Sequence, residues 1–164
     1  MNDFKTKSNE TLLNKAFNIS LKFLSYKART IKEMENYLCK KKFNPQIITQ
    51  IIKKLENYNY LNDKDYTFLY IKNRILHHPR SCFALKYELS AKGIKENIIN
   101  DALLDIDDFE SAYTAIKKRV HLWEKLDKET LKKKIMNYLK NRGFNFEVSI
   151  STYNKLTEEW KNEN

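Results

Sequence analysis

The chain has 164 residues, with 31 lysines and arginines against 21 carboxylates and a formal net charge of +10. Only two glycines and two prolines are present, which argues against a glycine-turned β-sandwich or barrel and against a Rossmann-type domain. Its apolar content of 41% is enough for a core and excludes global disorder.

Residues 1–10 are polar and hold no apolar signal segment, and no apolar run along the chain is long enough to span a bilayer. A cytoplasmic, reducing location is therefore expected, with no membrane partner. The first predicted helix carries Leu12, Leu13, Ala16, Phe17, Leu21 and Leu24. A second follows with Ile31, Met34 and Leu38, then a turn at Lys40, Lys41, Lys42 and Phe43. Ile47, Ile48, Ile51, Ile52 and Leu55 line a third, and Pro45 suits its first turn, where a missing amide is harmless.

Residues 58–63 punctuate the chain. Asn59 suits a left-handed helix cap, and Asn62 or Asp63 suits the next helix start. Tyr60 and Leu61 are expected to tuck against the bundle between those caps. The next helix is marked by Tyr66, Phe68, Leu69 and Ile71, and it breaks at Pro79. Arg74 and Arg80 flank that bend. They suit a phosphate or a partner carboxylate, though helix-end solvation and local salt bridges are the favoured reading.

Cys82, Leu85 and Leu89 then open a helix pair that repeats the pair at 31–55 with a shift of 51 residues. Ile94 follows its turn, and Ile98, Ile99, Ala102, Leu103 and Ile106 line the second helix. A third copy, shifted by 50 over most of its length, has Leu131, Ile135 and Leu139, then Phe144, then Val148, Thr152, Tyr153 and Leu156. Its own leading helix is marked by Phe109, Ala112, Tyr113 and Ile116, with Val120 and Trp123 as an extension. Gly93 and Gly143 stand in equivalent turns, where positive φ caps a helix, and Lys42 at that position in the first copy either takes modest strain or ends its helix differently. The polar tail from Thr157 is expected to fray, with Trp160 packing back. An all-α chain follows, in three units: 1–58 with a polar N-terminal arm, 59–107, and 108–164 with a polar tail.

The charge is uneven. Residues 1–54 carry 12 basic and 4 acidic side chains, 112–164 carry 12 and 7, and 95–111 carry one lysine against six carboxylates. Part of the lysine excess accompanies heavy use of Asn, Ile, Tyr and Phe, which AT-rich codons also supply. The remainder attracts polyanions or an acidic protein groove. Lys40, Lys41 and Lys42, and Lys132, Lys133 and Lys134, are candidate phosphate contacts, joined by Lys140 and Arg142 in the third turn. Such contacts predict weak, salt-sensitive, nonspecific binding to single- or double-stranded DNA.

Cys39 and Cys82 lack metal-ligand spacing and are expected to be buried or half-buried free thiols. His77 and His78 are adjacent and cannot face one point on a helix, and His121 lies elsewhere. Asp101, Asp105, Asp107 and Asp108 sit near a unit junction without a second carboxylate cluster. Neither a metal, a cofactor nor a catalytic site is expected.

Residues Asn59-Tyr60-Leu61-Asn62-Asp63, then Tyr66, Tyr70 and Arg74, resemble the junction of the RecX family, whose members typically show Gly-Tyr-Leu-Asp-Asp there. Pro79, Leu85, Leu89, Lys92, Gly93 and Ile94 continue the likeness, as do Ala16 to Leu24 and Leu139 to Phe144. The departures are Asn59 and Asn62, His77-His78 in place of a glycine-rich approach to the proline, and the lysine run at 40–42. The resemblance implies an elongated, curved array of tandem three-helix units. It implies a monomeric regulator that lodges in the groove of the RecA nucleoprotein filament and suppresses its ATPase, strand-exchange and coprotease activities. The alternative, from charge alone, is a sequence-nonspecific nucleic-acid-binding helical protein without a recombinase partner.

Overall fold

The computed structural model describes the backbone of residues 2–123 and 125–163 and the side chains of 9–123 and 125–160. Its helices start where short polar side chains can hold amides that lack an intrahelical acceptor. Helix α1 (Asn2–Leu24) is followed by α2 (Ile31–Lys40), whose cap is a reciprocal box between Thr30 and Glu33. Asn44 caps α3 (Pro45–Asn57), with Pro45 in the first turn. Asn62 Oδ1 accepts from Lys64 and Asp65 at the head of α4 (Asp63–His77). Ser81 Oγ accepts from Ala84 in α5 (Cys82–Ala91), and α6 (Glu96–Leu103) follows. Asp107, Asp127 and Asn145 cap α7 (Asp108–Lys117), α8 (Lys128–Lys140) and α9 (Phe146–Glu163), with a 3-10 turn at Val120–Leu122 before α8. Among the described residues there is no strand.

Four helix ends leave through left-handed backbone: Lys42 at φ 63°, Asn59 at 58°, Gly93 at 81° and Gly143 at 87°. Three of them close with the six-residue amide-to-carbonyl bond of a Schellman end: Phe43 to Leu38, Tyr60 to Leu55 and Phe144 to Leu139. The two glycines are also needed for space. A Cβ on Gly93 would stand 2.4 Å from Lys32 Cβ, and one on Gly143 would stand 2.6 Å from Ser81 Oγ.

The chain packs as two compact units, Met1–Thr67 with Ser90–Ile98, and Phe68–Leu89 with Ile99–Asn164. In the first, Ala16 of α1, Met34 and Leu38 of α2, and Ile47, Ile48, Ile51, Ile52 and Leu55 of α3 form the core with Leu61. In the second, Ala112, Ala115 and Ile116 of α7, Leu131, Ile135 and Leu139 of α8, and Tyr153 and Leu156 of α9 enclose Val120, Trp123 and Phe144. Truncating one such buried leucine to alanine costs on the order of 2–5 kcal/mol.

One contact pattern occurs once in each unit. In the first, Asp63 Oδ1 of α4 accepts from Ile31 N at the head of α2 (2.9 Å), and the Lys92 carbonyl in the α5–α6 turn accepts from Thr30 Oγ1 (2.8 Å). In the second, Asp108 Oδ1 of α7 accepts from Cys82 N at the head of α5 (2.6 Å), and the Arg142 carbonyl in the α8–α9 turn accepts from Ser81 N (3.1 Å). The N-terminus of a second helix is thus clasped by the first helix and the glycine turn of the following repeat.

Several expectations are corrected. The inward stripe of α4 is Asp63, Thr67 and Ile71, while Phe68 and Leu69 are 62% and 53% exposed. Ile71 is buried as expected, but polar Asp63 and Thr67 share its stripe, so hydropathy misplaced Phe68 and Leu69. Tyr60 is 55% exposed, although Leu61 beside it is buried. Cys39 is exposed, whereas Cys82 is half-buried as expected. Val120 and Trp123 are buried, but on and beside the 3-10 turn and not in an extension of α7. The tail does not fray at Thr157, since α9 runs to Glu163 and Trp160 packs on the third-repeat core.

Candidate partner-binding site

The candidate cations fall into three settings. Lys40, Lys41 and Lys42 close α2 and are all exposed. The Lys41 ammonium lies 5.6 Å from the Tyr37 ring, which stacks on Phe23 at 4.0 Å, and the Arg29 guanidinium covers the other ring at 3.9 Å. This ladder stiffens the base of the lysine run through cation–π attraction.

At the bend before Pro79, Arg74 Nε and Arg80 Nε each stand 3.0 Å from a carboxylate oxygen of Glu88. Tyr70 donates its hydroxyl hydrogen to the same carboxylate at 2.6 Å, and burial pushes the phenol above its ordinary range. The two arginines share one internal carboxylate, which offsets half of their positive charge at this bend. His77 and His78 are exposed beside it. Asn59, Tyr60, Leu61, Asn62, Asp63, Pro79, Gly93 and Gly143 stand at the caps, bends and turns that shape these helices.

The third setting is a cleft of about 750 Å³ between α8 and α9. Its lining includes Lys132, Lys133 and Lys140 together with Met136, Phe144 and Phe146. Glu129 on the rim pairs with Lys133 at 2.7 Å. Phe144 is buried beneath, whereas Phe146, in the first turn of α9, is 71% exposed. Lys132 reaches back to within 5.7 Å of the Tyr153 ring, and Lys134, on another side of α8, lies 5.6 Å from Trp123. Arg142 stacks on Tyr138 at 4.0 Å. The fold brings Lys132, Lys133 and Lys140 to one cleft, with the Lys132 ammonium near the Tyr153 ring outside its lining, and places Lys134 and Arg142 on aromatic rings elsewhere.

The sequence reading missed the apolar part of this cleft and missed Glu88. The i,i+4 spacing of Glu129 and Lys133 was a usable signal. Glu88 lies 14 and 8 residues from its two arginines, and no helical spacing links them. Burial and the Asp108 carboxylate push the Cys82 thiol up to about 12. Among the described residues, no three His, Cys, Asp or Glu side chains could hold a metal ion, and no helix is long and apolar enough to cross a membrane.

Fold and surfaces together define a class: an all-α protein of tandem three-helix units whose exposed cations border aromatic and apolar surface, a layout suited to binding a macromolecule. The family descriptions "RecX, first three-helix domain" and "RecX, third three-helix domain" match residues 16–55 and 105–149. The chain is 34% identical over 148 residues to regulatory protein RecX of Streptococcus sanguinis, covering 90% of this chain and 57% of that relative. It is 34% identical over 146 residues to regulatory protein RecX of Finegoldia magna, covering 86% and 71%. The crystal structure of RecX from Lactobacillus salivarius superposes with a TM-score of 0.75 at 28% identity, covering 88% of this chain and 96% of that one. A second crystal structure of regulatory protein RecX shares the fold, with a TM-score of 0.72. The chain belongs to the RecX family. It spans 57% of the length of the relatives from S. sanguinis and Bacillus subtilis.

Proposed function

We propose that this chain is a non-enzymatic regulator that binds the RecA nucleoprotein filament in its groove and inhibits its ATPase, strand-exchange and coprotease activities, in recombination, DNA repair and the SOS response. Membership in a family of regulatory proteins carries the reading. The physical rationale is that a filament repeats its surface, and a chain of tandem units engages more than one protomer at once. Each added contact is then intramolecular, which raises avidity without any new chemistry. The units taken here are 1–58, 59–107 and 108–164, acting as a monomer in the cytoplasm. Basic residues of the first and third units supply part of the contact, close to the bound DNA.

The test is single-stranded-DNA-dependent ATP hydrolysis by the host's RecA, with this protein added at substoichiometric amounts. Strong inhibition is the expected result. No inhibition together with no filament binding would leave the second reading, a sequence-nonspecific nucleic-acid-binding protein. That reading is favoured by the exposed lysines at 40–42 and 132–134. It requires tight binding to bare DNA, undiminished without the recombinase.

A further inference from the structure

The cleft between α8 and α9 is more than a patch of phosphate contacts. Lysines that only track a nucleic-acid backbone need no apolar floor, because phosphates gain nothing from methylenes and rings. Here Lys132, Lys133 and Lys140 rim a concavity whose lining includes Met136, the edge of Phe144 and the exposed ring of Phe146. Its volume of about 750 Å³ is that of a site taking a few side chains. Methionine at such a surface is an adaptable apolar contact.

Asn137 adds an exposed amide to the lining, a group that suits a peptide backbone. Phe146 is the one largely exposed ring in the lining, whereas a track for successive bases uses several.

From this combination we infer that the α8–α9 cleft is a docking site for a short acidic peptide segment of a protein partner. One aromatic or aliphatic side chain of that segment enters between Met136 and Phe146, and its flanking carboxylates face Lys132, Lys133 and Lys140. The charge sum supports this occupant: three lysines against one glutamate leave the rim positive toward carboxylates. The inference deepens the regulator reading, since it takes the partner to be a protein, and it names the chemistry of one contact.

The test uses neither recombinase nor ATP, so its failure is separate from failure of the regulator reading. Fluorescence anisotropy would compare three labelled probes on the full chain. These are an acidic decapeptide with a central phenylalanine, the same peptide with alanine in its place, and an oligothymidine of similar length. The phenylalanine peptide is expected to bind at least about tenfold more tightly than the alanine peptide, as burial of one ring implies. Phe146→Ala should remove about that tenfold and leave oligothymidine binding unchanged. Lys132→Glu with Lys140→Glu should weaken every probe.

Phe146 is exposed, so its loss spares the core, and Met136→Glu provides an independent block of the same concavity. Equal binding of the two peptides would overturn the inference. So would an equal loss of oligothymidine binding in Phe146→Ala, which would make the cleft a base-stacking site. Binding of neither peptide at millimolar concentration would overturn it too.

Discussion

Lys42 is the residue where local chemistry and backbone disagree. Its φ of 63° is a conformation that costs a side-chain-bearing residue roughly 1–2 kcal/mol, and the equivalent turns hold Gly93 and Gly143. Lys42→Gly is therefore expected to stabilise the protein by about 1 kcal/mol in urea denaturation. Gly143→Ala should do the reverse and by more. It meets the same φ penalty, and its new methyl would fall 2.6 Å from Ser81 Oγ and 2.8 Å from Ala84 Cβ. Strain plus overpacking of that kind costs on the order of 2–4 kcal/mol. If Lys42→Gly also weakens filament binding while raising stability, the lysine is retained for contact and not for the turn. The equivalence of Lys42 to the two glycines is legible from its place in the repeat, whereas its left-handed backbone, in place of a different helix end, is seen only in the structure. The close approach at Gly143 is not legible, because Ser81 is 62 residues away in sequence and no periodicity links them.

Among the helices, α3 and α8 show how far hydropathy carries. Each apolar row foreseen from the 3.6-residue period is buried, because both helices face apolar neighbours along their whole length. Helix α4 shows where it stops. Its buried face begins with Asp63, whose carboxylate is used to hold the Ile31 amide of another helix. A buried carboxylate that caps at a distance cannot be told from a solvent-facing one by sequence alone.

Burial raises the Asp63 carboxyl above its ordinary value of 3.8, and the bond from Ile31 opposes that rise. The sign of the pH effect follows. A raised folded-state value gives stability that is present below about pH 3.8 and is lost as pH rises through the folded value. Asp63→Asn keeps an acceptor oxygen for Ile31 and stays neutral throughout. The melting temperature of the variant relative to the parent is therefore expected to be more favourable near pH 7 than near pH 4. A difference that does not change with pH would show that the Ile31 bond cancels the burial penalty.

Across the whole molecule, the repeats seen in the sequence and the units seen in the packing do not coincide. The 51- and 50-residue shifts are legible because each repeat keeps the same apolar spacing. The compact units divide the middle repeat, with Asp63 and the Lys92 turn packed in one and Leu85 and Ile71 in the other. That division follows the clasp placed on the preceding repeat's second helix, through single hydrogen bonds accepted by Asp63, Lys92, Asp108 and Arg142. Such bonds leave no periodic trace.

The charge distribution, by contrast, is readable from sequence in sign but not in use. Of the third-repeat triplet, Lys133 is paired with Glu129, and Lys132 and Lys134 lie toward rings, yet all three are exposed. Exposed pairs and cation–π contacts of this kind are worth no more than about 1 kcal/mol each, so a strong external anion can displace them. Reversing Lys132, Lys133 and Lys134 to glutamate should therefore lower the melting temperature only modestly while weakening filament affinity at low salt. The loss should shrink as salt rises, because fewer counterions are released on binding. Affinity measured across a salt series decides the matter: curves that converge at high salt place the triplet in the contact, and superimposable curves at every salt concentration remove it.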